Sequence, residues 1–173
     1  MLGQFYEVGG ADVMCIQEHK ILGTHMPYAK EHGWRYVSAS AVATAGGGMS
    51  AGVAVLARSH IPLGEIDGPL PFDDHPDKEL YAGRFVAAIV SAGPSRSTVV
   101  VSTYFWSGES WSPRNLTLAS RVAAWLHSLN RPYIWGPIGT TAQLSSPTQE
   151  CSAATIAGSS RLANPRCVSQ TAK

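Results

Sequence analysis

Glu18 ends the run Asp12-Val13-Met14-Cys15-Ile16-Gln17-Glu18, in which four apolar residues read as a short buried strand with a carboxylate at its tip. A carboxylate fixed in that way is a candidate ligand for a hard divalent cation, which selects oxygen donors. The competing reading is a core strand with an acidic end, since short apolar runs are common. His19 adjoins Glu18, but successive strand residues point to opposite faces, which argues against a shared ligand pair. His75 lies in Phe72-Asp73-Asp74-His75-Pro76-Asp77-Lys78-Glu79, acidic enough to suggest a cation site. A solvated loop is the favoured reading there, because loop carboxylates without a fixed scaffold rarely hold a metal. His25, His32, His60 and His127 form no usable pattern.

Other chemistries fail on context. Gly46-Gly47-Gly48-Met49-Ser50-Ala51 has dinucleotide-loop spacing, yet it leads into a strand, so no helix N-terminus would face a phosphate. Gly47 to Gly52 has phosphate-loop spacing, but Val53 stands where the lysine is required. Ser110 lacks the G-x-S-x-G elbow and an identifiable base. Cys15, Cys151 and Cys167 make neither a disulfide framework nor a paired metal spacing. Asn115-Leu116-Thr117 is a formal glycosylation sequon, expected to be inert on a helix.

The elements that must position these residues are mostly strands. After the Glu18 strand, Thr24 to Glu31 reads as a short helix stopped near Gly33, and Trp34 to Ser38 as a strand. The three glycines at 46–48 make a flexible break before an apolar strand at Ala51 to Ala57. Ile61 to Leu80 is loop-rich, punctuated by Pro and Gly. Strands at Arg84 to Val90 and Thr98 to Tyr104 flank the turn residues Gly93-Pro94-Ser95. Ser112-Pro113 is an N-cap and first-turn pair, followed by Leu116, Ala119, Val122, Ala123, Leu126 and Leu129 at helical spacing. Tyr133-Ile134-Trp135 is a short strand that stops at Gly136-Pro137. This pattern predicts an α/β fold, a partial two-layer β-sandwich with flanking helices, over residues 1–138. Residues 139–173 read as a polar, disordered tail.

Length and composition set the bounds. At 173 residues and 45% apolar content the chain can build one domain with a proper core. Charged residues make up 14% and the net charge is +1, so any nucleic-acid contact rests on a few placed side chains and is weak. The apolar runs are strand-sized and the start carries no leader pattern, which predicts an intracellular protein without a membrane span.

Taken in order, several of these segments resemble the endonuclease/exonuclease/phosphatase superfamily, closest to its exonuclease III-like and retroelement endonuclease branch. They are Asp12 to Glu18, Gly48 to Val55, Gly83-Arg84, the Thr103-Tyr104-Phe105-Trp106-Ser107-Gly108-Glu109-Ser110 segment, and the late helix with Arg131-Pro132-Tyr133-Ile134-Trp135-Gly136. The resemblance covers about Leu2 to Gly136. It implies a DNase I-like fold of two packed sheets and phosphodiester hydrolysis of nucleic acid with Mg or Mn. By position it implies that Glu18 is the metal-binding glutamate, that Tyr104 lies at the scissile phosphate, and that Arg84 matches a frequent arginine. A phenol there can donate to oxygens that gain charge in the transition state.

The chain also departs from that family. Where the family has Gly-Asp-x-Asn, this chain reads Gly136-Pro137-Ile138-Gly139, and proline supplies neither a carboxylate nor a backbone donor. Loss of a positioned general base typically costs about 10²- to 10⁴-fold in rate. The family's opening asparagine strand and its closing Asp-His pair have no counterpart in the sequence. The expectation is therefore a truncated, degenerate domain that has lost hydrolysis and binds Mg or Mn weakly or not at all. The alternative is a non-enzymatic remnant acting as a binding or assembly module. Unpaired strand edges and uncovered apolar surface would favour self-association or a completing chain.

Overall fold

The computed structural model describes residues 11–91, 93 and 96–138. The opening ten residues and the 139–173 tail, with Cys151 and Cys167, lie outside the described residues, so the tail expectation is left where the sequence put it.

Two sheets share a core. The first has three antiparallel strands in the order β1 (Val13–Gln17), β5 (Val53–Arg58), β2 (Trp34–Ala39). The second has four, in the order β6 (Leu63–Glu65), β7 (Phe85–Ser91), β8 (Ser97–Tyr104), β9 (Tyr133–Ile138). A two-stranded hairpin, β3 (Val42–Ala43) and β4 (Met49–Ser50), stands apart. Its turn carries Gly46-Gly47-Gly48, and Thr44 N–H donates to Gly48 O at 2.8 Å. The helices are α1 (Pro27–Glu31) and α2 (Pro113–Ser128), with one 3-10 turn at Lys78–Tyr81.

Period-two alternation explains why the central strands are apolar throughout. In β5, Val53 and Val55 face the other sheet, while Ala54 and Leu56 face Met26, Ala29 and Trp34 on the outside. In β7, Val86 and Ala88 face the inter-sheet core, and Phe85 and Ala87 pack with Leu118, Val122 and Leu126 of α2. Each of the valine, leucine and phenylalanine side chains, once fully buried, stabilises by about 1.5–3 kcal/mol. Both faces of the central strands β5, β7 and β8 are thus covered, giving helix, sheet, sheet, helix. The Gln17 amide crosses between the sheets, donating to Ser102 Oγ at 3.0 Å, and Ser102 Oγ donates to Ile16 O at 3.3 Å.

The helix at α2 begins as expected, with Ser112 Oγ accepting from Asn115 N–H at 3.4 Å. It is the crossover that lets β9 lie parallel to β8. Two expectations change. The strand before Glu18 is not a buried one: β1 is a half-buried edge strand, and β5 takes the centre. The strand expected to stop at Gly136-Pro137 runs on to Ile138, with Pro137 opposite Thr103. Proline is tolerated because β9 is an edge strand among the described residues. The Ile61 to Leu80 stretch is loop-rich as expected, with the short β6 paired to β7 within it.

Candidate functional site

One end of the sandwich gathers the ends of β1, β5, β7, β8 and β9 within a short chain of backbone bonds. His19 N–H donates to Gly52 O at 3.1 Å, Gly52 N–H to Gly83 O at 2.9 Å, and Tyr104 N–H to Arg84 O at 2.9 Å. Two glycines make this crossing possible. Gly83 has φ +70°, and a Cβ on it would lie 2.3 Å from the Ser40 carbonyl oxygen. Gly52 has φ +88°, and a Cβ on it would lie 2.7 Å from the His19 ring. Only a residue without a side chain fits either place.

Arg84 enters the site from the turn before β7. Its residue is 7% exposed, so it is not the surface arginine that a strand start suggests. Nη1 donates to Tyr104 O at 3.2 Å and Nη2 to Ser50 Oγ at 3.4 Å. The guanidinium lies 3.9 Å from the centre of the Trp106 ring and 5.2 Å from that of Tyr104. No carboxylate among the described residues forms an ion pair with it. Burial brings Arg84 down to about 10, Arg114 adds to the shift, and the Tyr104 and Glu18 side chains oppose it. It is therefore still a cation at neutral pH, held in a place where a charge is costly to leave uncompensated.

Tyr104 ends β8 with its ring in the inter-sheet core beside Val86 and Val100. Its hydroxyl has no hydrogen-bond partner among the described residues. Arg84 and Tyr104, singled out from different strands, are thus in direct contact. Glu18 is at the same end but turned aside. It adopts φ +56°, which breaks the alternation of β1, and its carboxylate meets Lys20 Nζ at 3.4 Å with the side chain 40% exposed. It acts on Arg84 through its field and not through contact.

The fit to a metal is poor. Among the described residues no group of three or more His, Cys, Asp or Glu side chains could hold an ion. A single carboxylate anchors magnesium only in company with water and a substrate phosphate. His19 is a structural residue: its Nε2 lies 3.1 Å from Ala39 O, and its Nδ1 accepts from Ile21 N–H at 3.0 Å. The acidic segment around His75 is fastened to the fold. Asp73 accepts from Leu70 N–H at 2.8 Å, Asp74 pairs with Arg121, and His75 Nδ1 accepts from Asp77 N–H at 3.0 Å.

Three partners escaped the sequence reading: Trp106, Glu109 and Arg114. Arg114 lies 4.6 Å from the Trp106 ring centre and pairs with Glu109, so two guanidinium groups lie against one indole. Asn115 is buried, accepts from Trp106 N–H at 2.9 Å and donates to the carbonyls of Trp106 at 3.2 Å and Ser110 at 2.8 Å. The amide of the sequon asparagine is thus engaged in the fold. The only sequence signal was the density of aromatic residues from Tyr104 to Trp111.

A depression of about 340 Å³ lined by Leu126, His127 and Tyr133 lies at the other end of β8, where Tyr133 pairs with Val99. No helix of the described residues is long and apolar enough to cross a membrane. No family model, curated protein or solved structure matches this chain.

Proposed function

We propose that this domain is of endonuclease/exonuclease/phosphatase type, DNase I-like in descent, and that its rim binds the phosphate backbone of nucleic acid without hydrolysing it. The observation that carries this reading is Arg84, a buried cation with no carboxylate partner among the described residues, beside the unengaged hydroxyl of Tyr104. A buried guanidinium is most stable when its charge is matched, and its planar fork suits phosphate oxygens. Tyr104 would donate to the same phosphate. Glu18 would offer an oxygen to Mg or Mn only once substrate phosphate and water complete the shell.

Hydrolysis is assigned to the ancestor because Pro137 brings no carboxylate to the end of β9 where a water-activating base belongs. Small net charge makes binding weak, and its salt dependence is shallow because the slope scales with the number of phosphates neutralised. The test is paired: binding of a labelled single strand, and cleavage of plasmid and abasic-site DNA with Mg or Mn. Binding without cleavage is expected. Cleavage that Glu18→Ala abolishes would overturn the non-hydrolytic reading, and absence of binding would overturn the phosphate rim.

A second reading, assembly, is favoured by one observation. Tyr133 and Ile134 are exposed on β9, an edge strand among the described residues, where another strand can add.

A further inference from the structure

We infer that Trp111 is a stacking platform for an unpaired nucleobase, so that the strand bound at the rim is single-stranded or locally opened nucleic acid; this rests on the phosphate-binding reading above. Trp111 is 59% exposed, the largest fractional exposure among the exposed large hydrophobic residues. Exposure alone decides nothing, but the way this residue is held does. Ser110, immediately before it, is kept at φ +47°, a conformation unfavourable for any residue with a side chain. The strain is maintained by Asn115, whose amide donates to Ser110 O at 2.8 Å while its oxygen accepts from Trp106 N–H at 2.9 Å. On the other side of the loop Ser112 Oγ donates to Glu109 at 3.0 Å, and Glu109 pairs with Arg114. A short loop braced at both ends thus holds an indole in water. Strain of this kind concentrates at ligand sites.

The occupant follows from the neighbours. Phe105 meets Trp111 with ring centres 5.9 Å apart at 60°, leaving much of the indole open. Phe105 adjoins Tyr104 and Trp106, and Trp106 carries Arg84 and Arg114. Glu109 matches Arg114 and Glu18 matches Lys20, so Arg84 is the cation left over at this rim among the described residues. An anion beside Arg84 with a flat apolar group reaching Trp111 satisfies both. A nucleotide strand joins those two chemistries, and bases stack on aromatic side chains with little regard to sequence. Paired bases in a duplex present no free face, which selects unpaired ones.

The test compares two labelled strands of equal length on the full chain at low salt, oligothymidylate and its abasic counterpart. Wild-type protein is expected to bind oligothymidylate roughly tenfold more tightly, and Trp111→Ala to reduce that affinity to the abasic level, with Trp111→Phe restoring most of it. Abasic-strand affinity should be unchanged by Trp111→Ala and lost in Arg84→Met. Equal binding of the two strands, or an equal effect of Trp111→Ala on both, overturns the platform while leaving the phosphate rim standing. Failure of both strands to bind wild-type protein overturns the rim and the platform together.

Discussion

Gly83→Ala is the substitution whose effect the geometry fixes most tightly. At φ +70° the new side chain would sit in the left-handed region, costing about 1–2 kcal/mol. Its Cβ would also stand 2.3 Å from the Ser40 carbonyl oxygen, a backbone atom that cannot rotate away. Relief requires the β7 and β2 ends to part, at about 1–3 kcal/mol for overpacking. It would also weaken the 2.9 Å bond from Gly52 N–H to Gly83 O. The sum is about 3 kcal/mol, enough to lower Tm by about 10 °C in a domain of this size. Thermal unfolding followed by circular dichroism measures it, with Gly64→Ala as control, because a Cβ on Gly64 meets nothing within 4 Å. Since Arg84 is the next residue, strand binding should fall with stability. If Gly83→Ala melts within about 2 °C of wild type, the close crossing of the two sheet ends is wrong.

Protonation of His19 should destabilise the fold. Burial lowers its pKa from 6.5, with backbone hydrogen bonds at Ala39 and Val53 opposing. The unfolded chain therefore takes up this proton first, so the contribution is whole above pH 6.5 and is lost as pH falls through that value toward the folded pKa. Denaturant titrations from neutral to mildly acidic pH should show that slope in wild type and a flatter one in His19→Gln; identical slopes would contradict the assignment. Association through β9 predicts concentration-dependent sedimentation that Tyr133→Lys with Ile134→Lys reduces, whereas a wild-type monomer at every concentration would rule it out.

Much of this architecture could be read because pattern and burial coincide. The strands β5, β7 and β8 are covered on both faces, so their apolar runs are continuous, and α2 announces itself through Ser112, Pro113 and a regular stripe. Short paired segments such as β3, β4 and β6 carry no such period, because their pairing is set by partners elsewhere in the chain. The site was legible only in part. Tyr104 and Arg84 were singled out by resemblance, but their contact depends on the register in which Phe85 lies opposite Thr103. Glu18 was singled out too, yet the positive φ of this residue, whose carboxylate meets Lys20, leaves no mark in sequence. The Trp106 and Arg114 stack and the Asn115 brace needed a folded loop to become visible.

On the phosphate-binding reading, Arg84 is a buried cation kept for an anion and not for the fold. Burial of a charge with no carboxylate partner is costly, so methionine removes that cost and offsets the lost hydrogen bonds to Tyr104 O and Ser50 Oγ and the lost contacts with the Trp106 and Tyr104 rings. The deciding measurement is therefore Arg84→Met in two assays on the same preparation, chemical denaturation and binding of a short single strand. Stability within about 1 kcal/mol of wild type, or above it, is expected together with at least about a tenfold loss of affinity. Loss of several kcal/mol of stability with affinity intact would show Arg84 to be structural and would contradict the account.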